Sequence, residues 1–167
     1  MKEKELNKKI QAVLNKLISD EWFAGQFYRN FVMIVKPEQR SVIQDQLLDI
    51  ASDEINDHYK KLVTYAITNG YDVPASYSEI NKLADKDDIK LFEKTQRNKD
   101  AKFYVKLGIE SEKRAIETYE KALKEKDVSS DVELEMILKN NYYDEVEHLE
   151  KLNFILSSID AMEKFPG

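Results

Sequence analysis

Both histidines of the chain follow a glutamate at short helical spacing, in Glu54-x-x-x-His58 and Glu145-x-x-His148. Residues three or four apart share a helix face, so each pair sends a carboxylate and an imidazole the same way. Two further glutamates interrupt apolar stripes. Glu21 lies between Leu17 and Ala24, and Glu112 between Ile109 and Ile116. Glu54 and Glu145 have the same setting, between Ala51 and His58 and between Tyr142 and Leu149. A lone carboxylate in a helix core is costly unless it is paired, protonated or bound to a cation. Four carboxylates at similar depth, with two imidazoles beside them, point to a metal site. Oxygen and nitrogen donors without thiolates suit iron(II) or manganese(II). Any one of these glutamates, taken alone, reads more simply as a solvated residue on a charged helix.

An internal repeat argues against that simpler reading. Glu54 follows Glu21 by 33 residues, and Glu145 follows Glu112 by the same 33. A tyrosine stands seven residues after the first glutamate of each half, Tyr28 and Tyr119, and an aspartate immediately precedes the second, Asp53 and Asp144. Two hairpins related by a pseudo-two-fold axis would bring all four glutamates to one level.

Hydrophobic periodicity supplies the elements that must position them. Apolar residues at 3.6-residue spacing predict four long helices, over about 4 to 35, 41 to 69, 99 to 125 and 130 to 162. Ser41 with Gln44 and Ser130 with Glu133 have capping-box spacing, and Asn69-Gly70 is a helix stop. The first and second helices are joined by a short turn, as are the third and fourth, so each pair forms an antiparallel hairpin. Between the hairpins lie residues 71 to 99, with Pro74 and an expected short helix around Ser76 to Ala84. The expectation is an all-α, up-down-down-up four-helix bundle with one long crossover, a single domain over 1–167.

Composition agrees with long helices: 42% hydrophobic, 35% charged, four glycines and three prolines in 167 residues. With no cysteine there are no disulfides, thiolate ligands or iron–sulfur clusters. A net charge of −6 disfavours nucleic acid as a partner and favours cation capture. The alternating charges of Lys2 to Lys9 read as solvated first turns of a helix rather than a DNA-binding tail. No apolar run has the length of a membrane span, and Met1-Lys2-Glu3-Lys4 does not resemble a signal peptide, so a cytoplasmic location is expected.

In its ligand spacing the sequence resembles the ferritin-like superfamily, which includes bacterioferritins, rubrerythrins and Dps-like mini-ferritins. That pattern has one glutamate on each of two helices and Glu-x-x-His on each of the other two, all pointing inward. Asp144-Glu145-Val146-Glu147-His148 matches it, as do Glu21 with Tyr28 and Glu112 with Tyr119. The first half departs from it: in Asp53-Glu54-Ile55-Asn56-Asp57-His58 the histidine comes one residue late. Either His58 binds from i+4 or Asp57 takes its place. Helix phase favours His58, which lies near the line Leu47, Ala51, Leu62 and Tyr65, whereas Asp57 shares its face with Lys61. A π-bulge between Glu54 and His58 would absorb the extra residue.

The resemblance implies two iron ions, with manganese as an alternative. Glu54 and Glu145 bridge them, Glu21 and His58 complete one subsite, and Glu112 and His148 complete the other. Tyr28, two turns from Glu21, either hydrogen-bonds the site or donates an electron, or is an ordinary core tyrosine. Asp53 and Asp144 are expected to orient the imidazoles. No haem is expected, since the bacterioferritin haem-binding methionine is replaced by Ile55. The rubrerythrin four-cysteine module is also missing, and a chain whose last helix ends near 162 has no fifth cage-building helix. The expected activity is oxidation of iron(II) by O2 or hydrogen peroxide in a homo-oligomer, a dimer or a 12-subunit cage, serving iron storage, detoxification or oxidative-stress defence. The alternatives are a di-metal redox enzyme (peroxidase, manganese catalase or oxygenase) and a metal-free interaction bundle.

Overall fold

The computed structural model describes residues 6–165. Helix α1 spans Lys8–Ile34. It starts at Asn7, whose side-chain oxygen accepts from the backbone N–H groups of Lys9 and Ile10 at 3.0 and 3.1 Å. Residues 4 and 5 of the expected first helix lie outside the described residues. The second long helix opens with a 3-10 turn, Pro37–Gln39, and continues as α2, Arg40–Ser52. A turn of π-helix follows at Asp53–Tyr59, and then α3, Lys60–Thr68. It stops at Asn69-Gly70, where Gly70 takes a φ of 78°.

The crossover carries two short helices. Helix α4, Tyr77–Leu83, starts at a capping box of Ser76 and Glu79. Helix α5, Lys86–Glu93, is capped by Asp85 and is not evident from sequence periodicity. Helix α6 spans Ala101–Lys124, α7 is a single turn at Lys126–Ser129, and α8 runs over Val132–Lys164. Among the described residues no helix is long and apolar enough to cross a membrane.

Two expected caps move. Ser41 lies inside α2, because Pro37 starts a 3-10 turn that flows directly into the helix, and no side chain caps it. At the start of α8 the cap is Asp131, which accepts from the Leu134 N–H at 3.0 Å. The Ser130 hydroxyl instead donates back to the Lys126 carbonyl and closes the preceding turn.

Helix α1 packs against α2 and the π-turn, and α6 packs against α8. Tyr28 of α1 meets Gly108 and Glu112 of α6, while Glu21 meets Tyr119, so α1 and α6 run antiparallel. The topology is therefore up-down-down-up with a long crossover. The core divides into two apolar clusters. One is built around Phe27, Phe31, Leu47, Tyr104 and Leu152, and the other around Leu14, Leu17, Leu62, Leu134 and Leu138. Each fully buried Leu or Phe contributes about 1.5–3 kcal/mol, so these clusters can carry a costly polar layer between them. A smaller cluster of Phe23, Ile80 and Ala84, with Trp22, Ile89 and Phe92, fastens α4 and α5 to the outer face of α1.

Candidate metal centre

The polar layer between the apolar clusters consists of Glu21, Glu54, His58, Glu112, Glu145 and His148, all six buried and none more than 3% exposed. Each long helix of the bundle contributes: α1 gives Glu21, the π-turn gives Glu54 and His58, α6 gives Glu112, and α8 gives Glu145 and His148. The π-turn covers the irregular Glu54-to-His58 segment and places both side chains inside. Gly25 of α1 lets this turn pack closely, since a Cβ there would overlap the Ile55 side chain.

The six residues form two overlapping groups, with candidate ligand atoms in each group within 4.8 Å of one another. Glu21, Glu54, His58 and Glu145 make the first; Glu54, Glu112, Glu145 and His148 make the second. Glu54 and Glu145 belong to both. His58 Nδ1 lies 2.9 Å from Glu145 Oε1 and 3.5 Å from Glu21 Oε2. His148 Nδ1 lies 3.0 Å from Glu54 Oε1 and 3.7 Å from Glu112 Oε1. These approaches lack hydrogen-bond geometry. As a result each residue leaves one buried atom without a partner: Glu21 Oε2, Glu54 Oε1, His58 Nδ1, Glu112 Oε2, Glu145 Oε1 and His148 Nδ1. Buried polar atoms are seldom left unpaired. Six converging at one level, four on acids and two on imidazoles, are a donor set that fits two divalent cations.

The outer nitrogens fix the orientation of the rings. His58 Nε2 lies 2.9 Å from Asp144 Oδ2, and His148 Nε2 lies 2.9 Å from Asp53 Oδ2. A carboxylate can only accept here, so Nε2 carries a proton, and Nδ1 is the nitrogen that a cation would take on displacing its proton. Both bonds cross between hairpins. The tyrosines cross in the same way. Tyr28 donates to Glu112 Oε1 at 2.7 Å, and Tyr119 to Glu21 Oε1 at 2.6 Å. Asn141 in turn donates to the Tyr119 hydroxyl at 3.2 Å.

Burial pushes the carboxyl of Glu54 up to about 7, reinforced by the neighbouring Glu21 charge. Burial and the Glu145 charge likewise raise Glu21 and Glu112 above the usual carboxylate range. For the histidines burial works downward, but the surrounding carboxylates outweigh it and raise both imidazoles. Without a cation, the cluster offsets its crowded negative charge by holding protons.

Sequence spacing identifies all six of these side chains. Tyr28, expected to hydrogen-bond the site, to donate an electron or to be an ordinary core tyrosine, donates a hydrogen bond across the bundle to Glu112 on α6. Asp57 is half-buried, ion-paired with Lys61 at 2.7 Å, and groups with His58 and Asp144 rather than with the six-residue layer. The contact of Tyr119 with Glu21 and the support from Asn141 are not anticipated. The signal for the first was the repeated tyrosine seven residues after each glutamate; Asn141 has no counterpart in the other half.

The profile of the ferritin-like domain matches residues 11–162. No curated protein matches the sequence. Among solved structures, the chain is similar to a dodecameric thioferritin, the bacterioferritin-related protein from Bacteroides fragilis. Identity is 21% over 94% of this chain and 89% of that one, with a TM-score of 0.82. A ferritin-like diiron-carboxylate protein from Bacillus anthracis str. Ames is also 21% identical, covering 90% of this chain and 99% of the other at a TM-score of 0.70. A ferritin from M. penetrans is 12% identical, with 93% and 87% covered and a TM-score of 0.69. Through the profile match over nearly its whole length, together with this fold, the chain belongs to the ferritin-like domain family.

Proposed function

We propose that the protein oxidises iron(II) with O2 or hydrogen peroxide at a two-metal carboxylate centre, in iron storage, detoxification or defence against oxidants. The observation that carries this reading is the set of six buried, unpartnered donor atoms. Glu54 and Glu145, common to both groups, would be shared between two iron ions, with manganese as an alternative. Glu21 and His58 complete one subsite, and Glu112 and His148 the other. Two iron(II) ions held there would supply one electron each, the pair that reduces one peroxide to water.

The chain's own residues do the rest. Asp144 and Asp53 hold the imidazoles with Nδ1 inward. Four carboxylates match the four positive charges of two divalent ions, which removes the burial penalty. Tyr28 and Tyr119 fix the carboxylates of Glu112 and Glu21 by donating to one oxygen of each, leaving the other for a cation. The apolar clusters above and below exclude water. A homo-oligomer, either a dimer or a 12-subunit cage, fits this role. Support comes from the dodecameric relative and from exposed apolar side chains such as Val132, Met136 and Phe154 along α8.

Anaerobic iron(II) mixed with the protein and then with hydrogen peroxide tests the reading. Each peroxide should consume two iron(II) ions, much faster than in protein-free buffer. A rate equal to that of buffer would overturn it.

A further inference from the structure

A small cavity lies beside the carboxylate cluster between α1 and α6. At its inner end it is lined by Glu21, Glu54, Glu112 and Glu145. Its flanks include Ala24 and Ala115, small side chains that leave the seam open. At the outer end stand Asp20, Asp85, Asp88 and Arg114. Exposure rises along this line, from 1% at Glu54 through 6% at Asp88 to 28% for the Arg114 side chain. The deep end is therefore the cluster itself, and the shallow end lies toward the surface.

Charged contacts close the outer end. Asp20 of α1 accepts from the Asp85 backbone N–H at 2.7 Å, which pins the start of α5 over the seam. Asp88 of α5 accepts from Ser111 at 3.1 Å and from the Arg114 guanidinium at 2.8 Å, both on α6. Arg114 is held by this one well-formed bond. Its Nε lies 3.5 Å from Asp85 without a hydrogen-bond partner. Because 28% of the Arg114 side chain is exposed, it can turn outward, at the cost of leaving the buried Asp88 without its cation. When Arg114 swings toward solvent, Asp20, Asp85 and Asp88 face the seam, with Lys16 paired to Asp20 as counter-charge. An acidic mouth above unpartnered buried carboxylates (Glu21 Oε2 and Glu112 Oε2) attracts and hands inward a small divalent cation.

We infer that this seam is the path by which divalent cations reach the cluster and that Arg114, tethered to Asp88, gates it. The inference rests on reading the cluster as a metal centre. Its test uses the full chain and cobalt(II), whose visible absorption reports ligation, with uptake followed by stopped flow and final stoichiometry by elemental analysis. Arg114→Ala removes the gate and should speed uptake roughly tenfold, equivalent to about 1.4 kcal/mol of barrier. Ala115→Leu narrows the seam without touching the donor set and should slow uptake by a similar factor. In both variants the amount bound at completion should equal that of the wild type. If either rate stays within about twofold of wild type in a folded variant of full stoichiometry, the gate is overturned while the metal centre stands. If the wild type takes up no cobalt(II), the metal reading fails, and the gate fails with it.

Discussion

His58 and Asp144 lie on different hairpins, yet their side chains meet with Nε2 2.9 Å from Oδ2. His148 and Asp53 repeat the relationship in the opposite direction. Each hairpin therefore orients the imidazole of the other, and the site is a property of the docked pair rather than of either half. Removing such an outer partner typically lowers metal affinity about 10–100-fold. Asp144→Ala should do so at the His58 subsite and Asp53→Ala at the His148 subsite, read by titration calorimetry with manganese(II). Unchanged affinities in both would show that the crossed bonds do not orient ligands.

The irregular half of the site gives a sharper contrast. His58 is fully buried, whereas Asp57 pairs with Lys61 at the surface. His58→Ala should abolish fast oxidation of iron(II), and Asp57→Asn should leave it nearly intact. Stopped-flow oxidation by each variant separates them. The reverse pattern would make Asp57 the ligand.

Glu145 belongs to both donor groups, while His148 belongs to one. Glu145→Ala should therefore cost both metals, and His148→Ala chiefly one. Elemental analysis after anaerobic loading and desalting reads the difference. Equal, mild losses would contradict the bridging role.

The acids and the long helices were legible because one period carries both: Leu17, Glu21 and Ala24 fall on a stripe that only a helix makes. The late histidine was legible as an irregularity, and the π-turn at Asp53–Tyr59 is its structural form. What could not be read was pairing between hairpins. Whether Tyr28 meets Glu21 or Glu112 depends on how α1 and α6 are set against each other, which no local spacing encodes. Helix α5 was missed because Lys86–Glu93 is mostly charged, and only Ile89 and Phe92 anchor it to the small cluster on α1. Ser41 and Ser130 were misread as caps for a different reason. Pro37 and Asp131, close by in each case, determine the helix start instead.

Stability should depend on pH in opposite ways with and without metal. Glu54 is raised from 4.5 to about 7 in the fold, and Asp20 and Asp88 are raised by burial from 3.8 to about 6. A raised acid binds its proton more tightly in the folded chain, so its stabilisation is lost as pH rises through these values. The raised histidines add a loss of the same sign above 6.5. The apoprotein should thus weaken from pH 5 to 8, while cation binding, which displaces those protons, strengthens over that range. Calorimetric melting with and without manganese(II) should show a Tm gap that widens with pH. A constant gap would contradict the proton-holding cluster.

The most direct test is the amount of iron(II) bound per chain when the purified protein is loaded without air and freed of excess. Six donors in two groups sharing Glu54 and Glu145 predict about two ions. The Glu21→Ala, Glu112→Ala double variant should hold fewer. A wild-type stoichiometry near zero would contradict the metal centre and leave only the fold.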